Sequence, residues 1–184
     1  MTKITILADK ITSRHDKIRK LLRPLRPSNR DVGCNIKEGK DDGGRVVAAH
    51  DGGGISSTQK WIFRTFVADV WAEYYELWLP SGNSKRLALQ KAYLHLYRPD
   101  EKRGSLKEFV CVHCDPQEDE NSPGGRYKKG PHLHIRAADK PLPKSHFPLN
   151  LGHLNEILES VDALTMAMGD AVQVLADEVL NKFN

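Results

Sequence analysis

The sequence predicts an α+β protein, an antiparallel β-meander with a basic N-terminal helix and a long C-terminal helix. Three observations carry this. Glu108-Phe109-Val110-Cys111-Val112-His113-Cys114 is a β-branched and aromatic run ending at Asp115-Pro116, and His132 to Arg136 alternates polar and apolar residues with the period of a strand. Leu154, Ile157, Leu158, Val161, Leu164, Met168, Val172, Leu175, Val179 and Phe183 hold a single apolar stripe at helical spacing. Between residues 13 and 25, Ile18, Leu21, Leu22 and Leu25 recur at the same spacing among basic residues.

In chain order, Ile4 to Leu7 predicts a short strand. Ser13 and Asp16 form a capping-box-like start to a helix that Pro24 and Pro27 end. Residues 28–44, rich in Asn, Asp, Gly and Lys, read as a loop, Arg45 to His50 as a strand and Asp51-Gly52-Gly53-Gly54 as a turn. The triple glycine lacks the Lys-Ser/Thr ending of a phosphate-binding loop. Phe63, Phe66, Val67, Val70, Trp71 and Tyr74 follow a helical stripe and Tyr75, Leu77 and Leu79 a strand, which predicts a helix passing into a strand near residue 73. Leu87 to Arg98 alternates like a strand but consists of good helix formers; Pro99 to Ser105 is a turn and Gln117 to Gly125 an acidic loop. The economical sheet has three or four strands. The predicted organisation is a basic extension over residues 1–58 and an α+β core with the C-terminal helix over 59–184. The C-terminal stripe runs for roughly eight turns at 3.6 residues each. Gly169 either divides it or admits a second helix at close range.

Composition bounds the function. Hydrophobic residues at 39% and charged residues at 28% suit a soluble cytoplasmic domain, and no apolar run reaches the ~20 residues of a membrane span. The odd number of cysteines, Cys34, Cys111 and Cys114, argues for reduced thiols. Net charge is only +4, but residues 1–30 hold nine Lys and Arg against Asp9 and Asp16, while residues 150–184 hold six acids against Lys182. The basic end is the candidate nucleic-acid surface, through Arg14, Lys17, Lys20 and Arg23, with Lys128 beside the histidine stretch. An eight-turn stripe needs a covering surface larger than a small sheet, which predicts a homo-oligomer or a complex with a protein partner.

His132, His134 and Arg136 project from one strand face and Leu133 and Ile135 from the other. Two imidazoles on one face can act as base and acid when a ribose 2′-hydroxyl attacks its own phosphodiester, with Lys129 or Arg136 holding the phosphate; this chemistry requires no metal or other cofactor. His146 joins them if the Pro141–Pro143 turn folds back. A second class of reading is a zinc module, in which Cys111, Cys114, His132 and His134 are ligands and His113 or Asp115 substitutes. A third is a non-enzymatic accessory subunit, and an edge strand with an idle polar face is the plain structural alternative.

From Tyr74-Tyr75-Glu76-Leu77-Trp78-Leu79-Pro80-Ser81-Gly82, through two strands, to Lys129-Gly130-Pro131-His132-Leu133-His134 and then Phe147-Pro148-Leu149 and an apolar helix, the order of elements resembles the small toxin family TumE. That family similarly follows a sheet with a Lys-Gly-x-His-x-His stretch and a terminal helix. The resemblance covers about residues 73–175. It implies a toxin-antitoxin or defence-related ribonuclease acting on RNA, with His132 and His134 in the matching positions and an antitoxin or complex subunit as partner.

Overall fold

A computed structural model describes residues 4–28, 31–38, 43–51, 61–82, 85–135, 145–149 and 151–183. Its centre is a ribbon of two long antiparallel strands, β5 (Trp71–Pro80) and β6 (Arg86–Asp100), joined by a turn. Each outgrows a single neighbour. Along the outer edge of β5 lie β4 (Ile62–Arg64) and then β3 (Arg45–His50), which pairs onward with β2 (Gly33–Glu38). Along the other edge of β6 lie β1 (Thr5–Leu7) and then β7 (Ser105–Cys114), followed by β8 (His132–Ile135) and β9 (Ser145–Pro148). All pairs are antiparallel, so the α+β class is as expected, with nine strands among the described residues rather than three or four.

Alternation decides which face of the sheet is covered. On β5, Ala72, Tyr74, Glu76 and Trp78 are buried while Trp71, Glu73, Tyr75 and Leu77 are only half-buried. The buried face packs under α1 (Arg14–Leu22), flanked by 3-10 turns, and under the C-terminal helices. Ile18, Leu22, Trp78, Leu94, Val112, Met168 and Leu175 belong to one core.

That core takes Ile4, Ile11, Cys34 and Val47 from the N-terminal third, and β1 and β3 pair with β6 and β5. The boundary expected at residue 58 therefore has no counterpart in the packing. Two further expectations are corrected. The loop over 28–44 contains β2, an outer strand whose Cys34 is buried against the core and whose Lys37 and Glu38 are exposed. The helix expected before residue 73 is instead β4, a tight turn and β5. Thr65 and Val70 close that turn, where Asp69 has φ +60°, and its Phe63, Val67 and Val70 are buried just as a helical stripe would bury them. The glycine turn at 52–54 lies outside the described residues.

The C-terminal stripe is divided, but not at Gly169. Leu154–Ile157 forms a short helix, α3, after α2 (Gly125–Lys128) earlier in the chain; Ser160 then caps a new helix, α4 (Val161–Val174), by accepting a hydrogen bond from the Ala163 amide at 3.0 Å. A π turn and a 3-10 turn continue it to Phe183. A Cβ built on Gly169 meets nothing within 4 Å, so this glycine neither breaks the helix nor admits a close neighbour. The wide sheet covers Leu164, Met168, Val172, Leu175 and Leu180, which removes the reason for expecting an oligomer on account of the stripe. No helix among the described residues is long and apolar enough to cross a membrane.

Candidate active site

The face turned away from α1 and α4 carries the chemistry. Register sets Tyr75, Tyr93, His113 and His132 in one row across β5 to β8, and Glu73, His95, Cys111 and His134 in the next. Because residues two apart on a strand share a face, both rows lie on the same surface. His113 stacks on Tyr93 at 3.8 Å between ring centroids and lies 4.2 Å from His134, which is 4.9 Å from His132. His95 is 5.0 Å from His113.

Each flank is held by a carboxylate. Nδ1 of His95 donates to Glu108 Oε2 at 2.5 Å, and both side chains are mostly shielded from solvent. Glu108 reaches this face through a bulge. Leu96 pairs with Val110 but Tyr97 with Glu108, so Phe109 is the extra residue and the alternation of β7 reverses below it. On the other flank Tyr93 Oη donates to Asp115 Oδ1 at 2.5 Å, and Asp115 Oδ2 stands 4.0 Å from His132 Nε2. Burial pushes Asp115 above the usual carboxylate range, against the opposing effect of the Tyr93 hydroxyl. Burial, reinforced by Asp115, also raises Tyr93 well above an ordinary phenol, and Tyr75 is pushed up to about 12, again chiefly by burial. These phenols stay protonated and serve as donors.

His132 and His134 thus share a face as expected, but they differ in access. His132 is buried, and its Nδ1 donates to the Gly130 carbonyl at 3.0 Å; His134 is half-buried. Lys129 is not aimed at them. Its buried side chain reaches Glu120, with Nζ 2.8 Å from Oε1, and Lys128 Nζ lies 3.2 Å from Glu118. Arg136 lies outside the described residues, and of His146 only the backbone register opposite His134 is described. The four-ligand zinc set is corrected, because Cys114 faces the core and donates to the Lys129 carbonyl at 3.0 Å, with a thiol that burial pushes well above its usual range. Cys111 lies on the histidine face. Among the described residues, two groups have ligand atoms within 4.8 Å of one another, His113 with His132 and His134, and His95 with Cys111 and His113.

The basic helix divides likewise. Arg14 is not a surface phosphate contact, because its guanidinium is buried against Glu76. Lys17 pairs with Asp162 at 3.0 Å. Lys20 and Arg23 are exposed and line a groove of about 710 Å³ with Arg19, Arg26, Asp16 and Asp31. α1 covers the opposite face of the sheet, so this groove is separate from the histidines.

Glu108 carries no local signal of its own. Tyr93-x-His95-x-Tyr97 has the same alternation as His132-x-His134, but the partnership with Glu108 depends on the bulge. Comparisons with family models, with curated proteins and with solved structures find no match to this chain.

Proposed function

We propose that the open face of the sheet cleaves RNA phosphodiester bonds. The observation that carries the reading is the His95–Glu108 pair standing 5.0 Å from His113 at the edge of the three-histidine cluster. Glu108 accepts the Nδ1 proton, so Nε2 of the neutral ring is the basic nitrogen and is oriented by the carboxylate. It takes the proton of a ribose 2′-hydroxyl; the 2′-oxygen attacks phosphorus, the bond to the 5′-oxygen breaks, and the leaving oxygen takes a proton from the imidazolium form of half-buried His134, across His113 from His95. The products are a 2′,3′-cyclic phosphate and a free 5′-hydroxyl.

Half-buried Tyr75 and Tyr97 rings on this face offer stacking surface to nucleobases, which supports a single-stranded substrate. The resemblance to TumE toxins over about residues 73–175 points to the same substrate, to a toxin-antitoxin or defence setting, and to a neutralising protein partner. Incubating the purified chain with a labelled RNA oligonucleotide and analysing the end groups tests this. His95→Ala should abolish cleavage. Glu108→Gln should lower the rate and shift the pH profile by changing the basicity of His95. No cleavage by the wild-type chain, or full activity in His95→Ala, overturns the reading.

A further inference from the structure

We infer that His113, His132 and His134 form a binding site for a divalent late first-row metal ion of the zinc class. The inference stands apart from the ribonuclease reading, because a metal can be held whether or not RNA is cut.

Three features point to a metal rather than to a chance gathering of rings. The first is topological. His132 and His134 share one face of β8, and His113 sits directly opposite His132 on β7, so two adjacent strands deliver three imidazoles to one point. Their ligand atoms already lie within 4.8 Å of one another, and the rings are tilted by 36°, 47° and 81° rather than stacked in parallel, which lets nitrogen lone pairs converge. Three protein ligands on neighbouring strands leave a coordination position facing outward, as in open zinc sites.

The second is the anchor on His132. Its Nδ1–H donates to a backbone carbonyl, which fixes the tautomer and gives the lone pair to Nε2. Metal-bound histidines are commonly held in this way. His95 is held in the same way, Nδ1 to Glu108, but its group reaches His113 through the Cys111 thiol, whereas His132 and His134 bring two imidazoles from one face of a single strand.

The third is charge. Glu73, Glu108 and Asp115 are all engaged by tyrosine hydroxyls or His95 on this face, while Lys129 is turned to Glu120. A divalent ion among neutral imidazoles, with Asp115 Oδ2 4.0 Å from His132 Nε2, balances this excess of carboxylate. Imidazole donors suit zinc, cobalt, nickel and copper rather than magnesium or calcium. For the proposed cleavage, such an ion would add to the positive charge of Lys91, whose ammonium lies over the Tyr93 ring on this face, and a water at its open position would take over from His134 as proton donor to the leaving oxygen.

The test is titration of tag-free, chelator-dialysed protein with Co²⁺ followed by visible absorption, and with Zn²⁺ by calorimetry. The expected result is saturation at one ion per chain, with the intense absorption of a tetrahedral cobalt site. His134→Gln, at the half-buried member of the set, removes a ligand and should weaken binding by more than the roughly 100-fold that loss of an outer-shell partner costs, while its near-ultraviolet circular dichroism without metal matches the parent. His95→Gln should retain the cobalt spectrum. Absence of saturable binding, binding unchanged in His134→Gln, or a spectrum lost in His95→Gln but kept in His134→Gln overturns the assignment. Because these readouts need no RNA, they fail or succeed independently of the cleavage assay.

Discussion

Arg14 and Glu76, 62 residues apart, form a buried ion pair with two hydrogen bonds, Nε to Oε2 at 3.0 Å and Nη2 to Oε1 at 2.6 Å. Glu76 also accepts from Tyr74 Oη and Trp78 Nε1, both at 2.9 Å, and Arg14 Nη1 donates to Thr165 Oγ1 at 3.0 Å. α1, β5 and α4 therefore meet at one satisfied polar cluster inside an apolar core. Removing one partner strands a charge that the core cannot solvate. Arg14→Met or Glu76→Leu alone should cost about 3–5 kcal/mol, whereas the double replacement should cost clearly less than the sum. Urea unfolding of the four-member cycle measures this, and additive costs would refute the coupling.

Gly169 gives a prediction of opposite sign. It sits inside α4, where glycine is unfavourable, and an added methyl group meets nothing within 4 Å. Gly169→Ala should stabilise the protein by about 0.5–1 kcal/mol. A lower melting temperature in this variant would show that the glycine has a role in packing.

His15 on α1 supplies a pH dependence. Burial, and then the neighbouring Arg19, hold its pKa below the usual histidine range, with Asp16 opposing. The unfolded chain therefore takes up a proton more readily than the folded one. The stability associated with neutral His15 is fully present above the unfolded value near 6.5 and is lost as pH falls through that value towards the lower folded one. The drop in melting temperature between about pH 7.5 and 5.5 should be smaller in His15→Gln than in the parent.

Lys129 separates the site drawn from sequence from the one in the fold. Its ammonium is paired with Glu120 in a shallow pocket beside Leu154 and Leu158. Lys129→Ala should leave the cleavage rate within a few-fold of the parent and lower stability by on the order of 1 kcal/mol through lost packing of the buried stem. A large fall in rate with unchanged stability would return Lys129 to the phosphate.

What could be read from the chain follows from how local each signal is. Arg45–His50 and Glu108–Cys114 declare themselves as strands by β-branched and aromatic content, and the shared face of His132 and His134 needs only alternation. β2 was illegible because an outer strand with few inward side chains, Cys34 and Ile36, resembles a polar loop. The false helix before residue 73 arose because Phe63, Val67 and Val70 are buried by a strand and a tight turn at the same spacing that a helix would use. Glu108 is the clearest case of a residue hidden by geometry. Simple alternation from His113 and Cys111 assigns it to the core side, and only the extra residue at Phe109 turns it to His95.

The pairing of β1 with the start of β6 sets a timetable for synthesis. Thr5 finds its partner Ala88 only after more than eighty residues have followed it, and the guanidinium of Arg14 reaches Thr165 across 151 residues. At translation speeds of roughly 5–20 residues per second, the basic segment emerges from the ribosome on the order of ten seconds before α4 exists to hold it. During that interval its helix has little tertiary support and its positive charges are available to the anionic ribosome surface. The central ribbon of β5 and β6 can form early from neighbouring segments, whereas closure of the helical layer over it waits for α4.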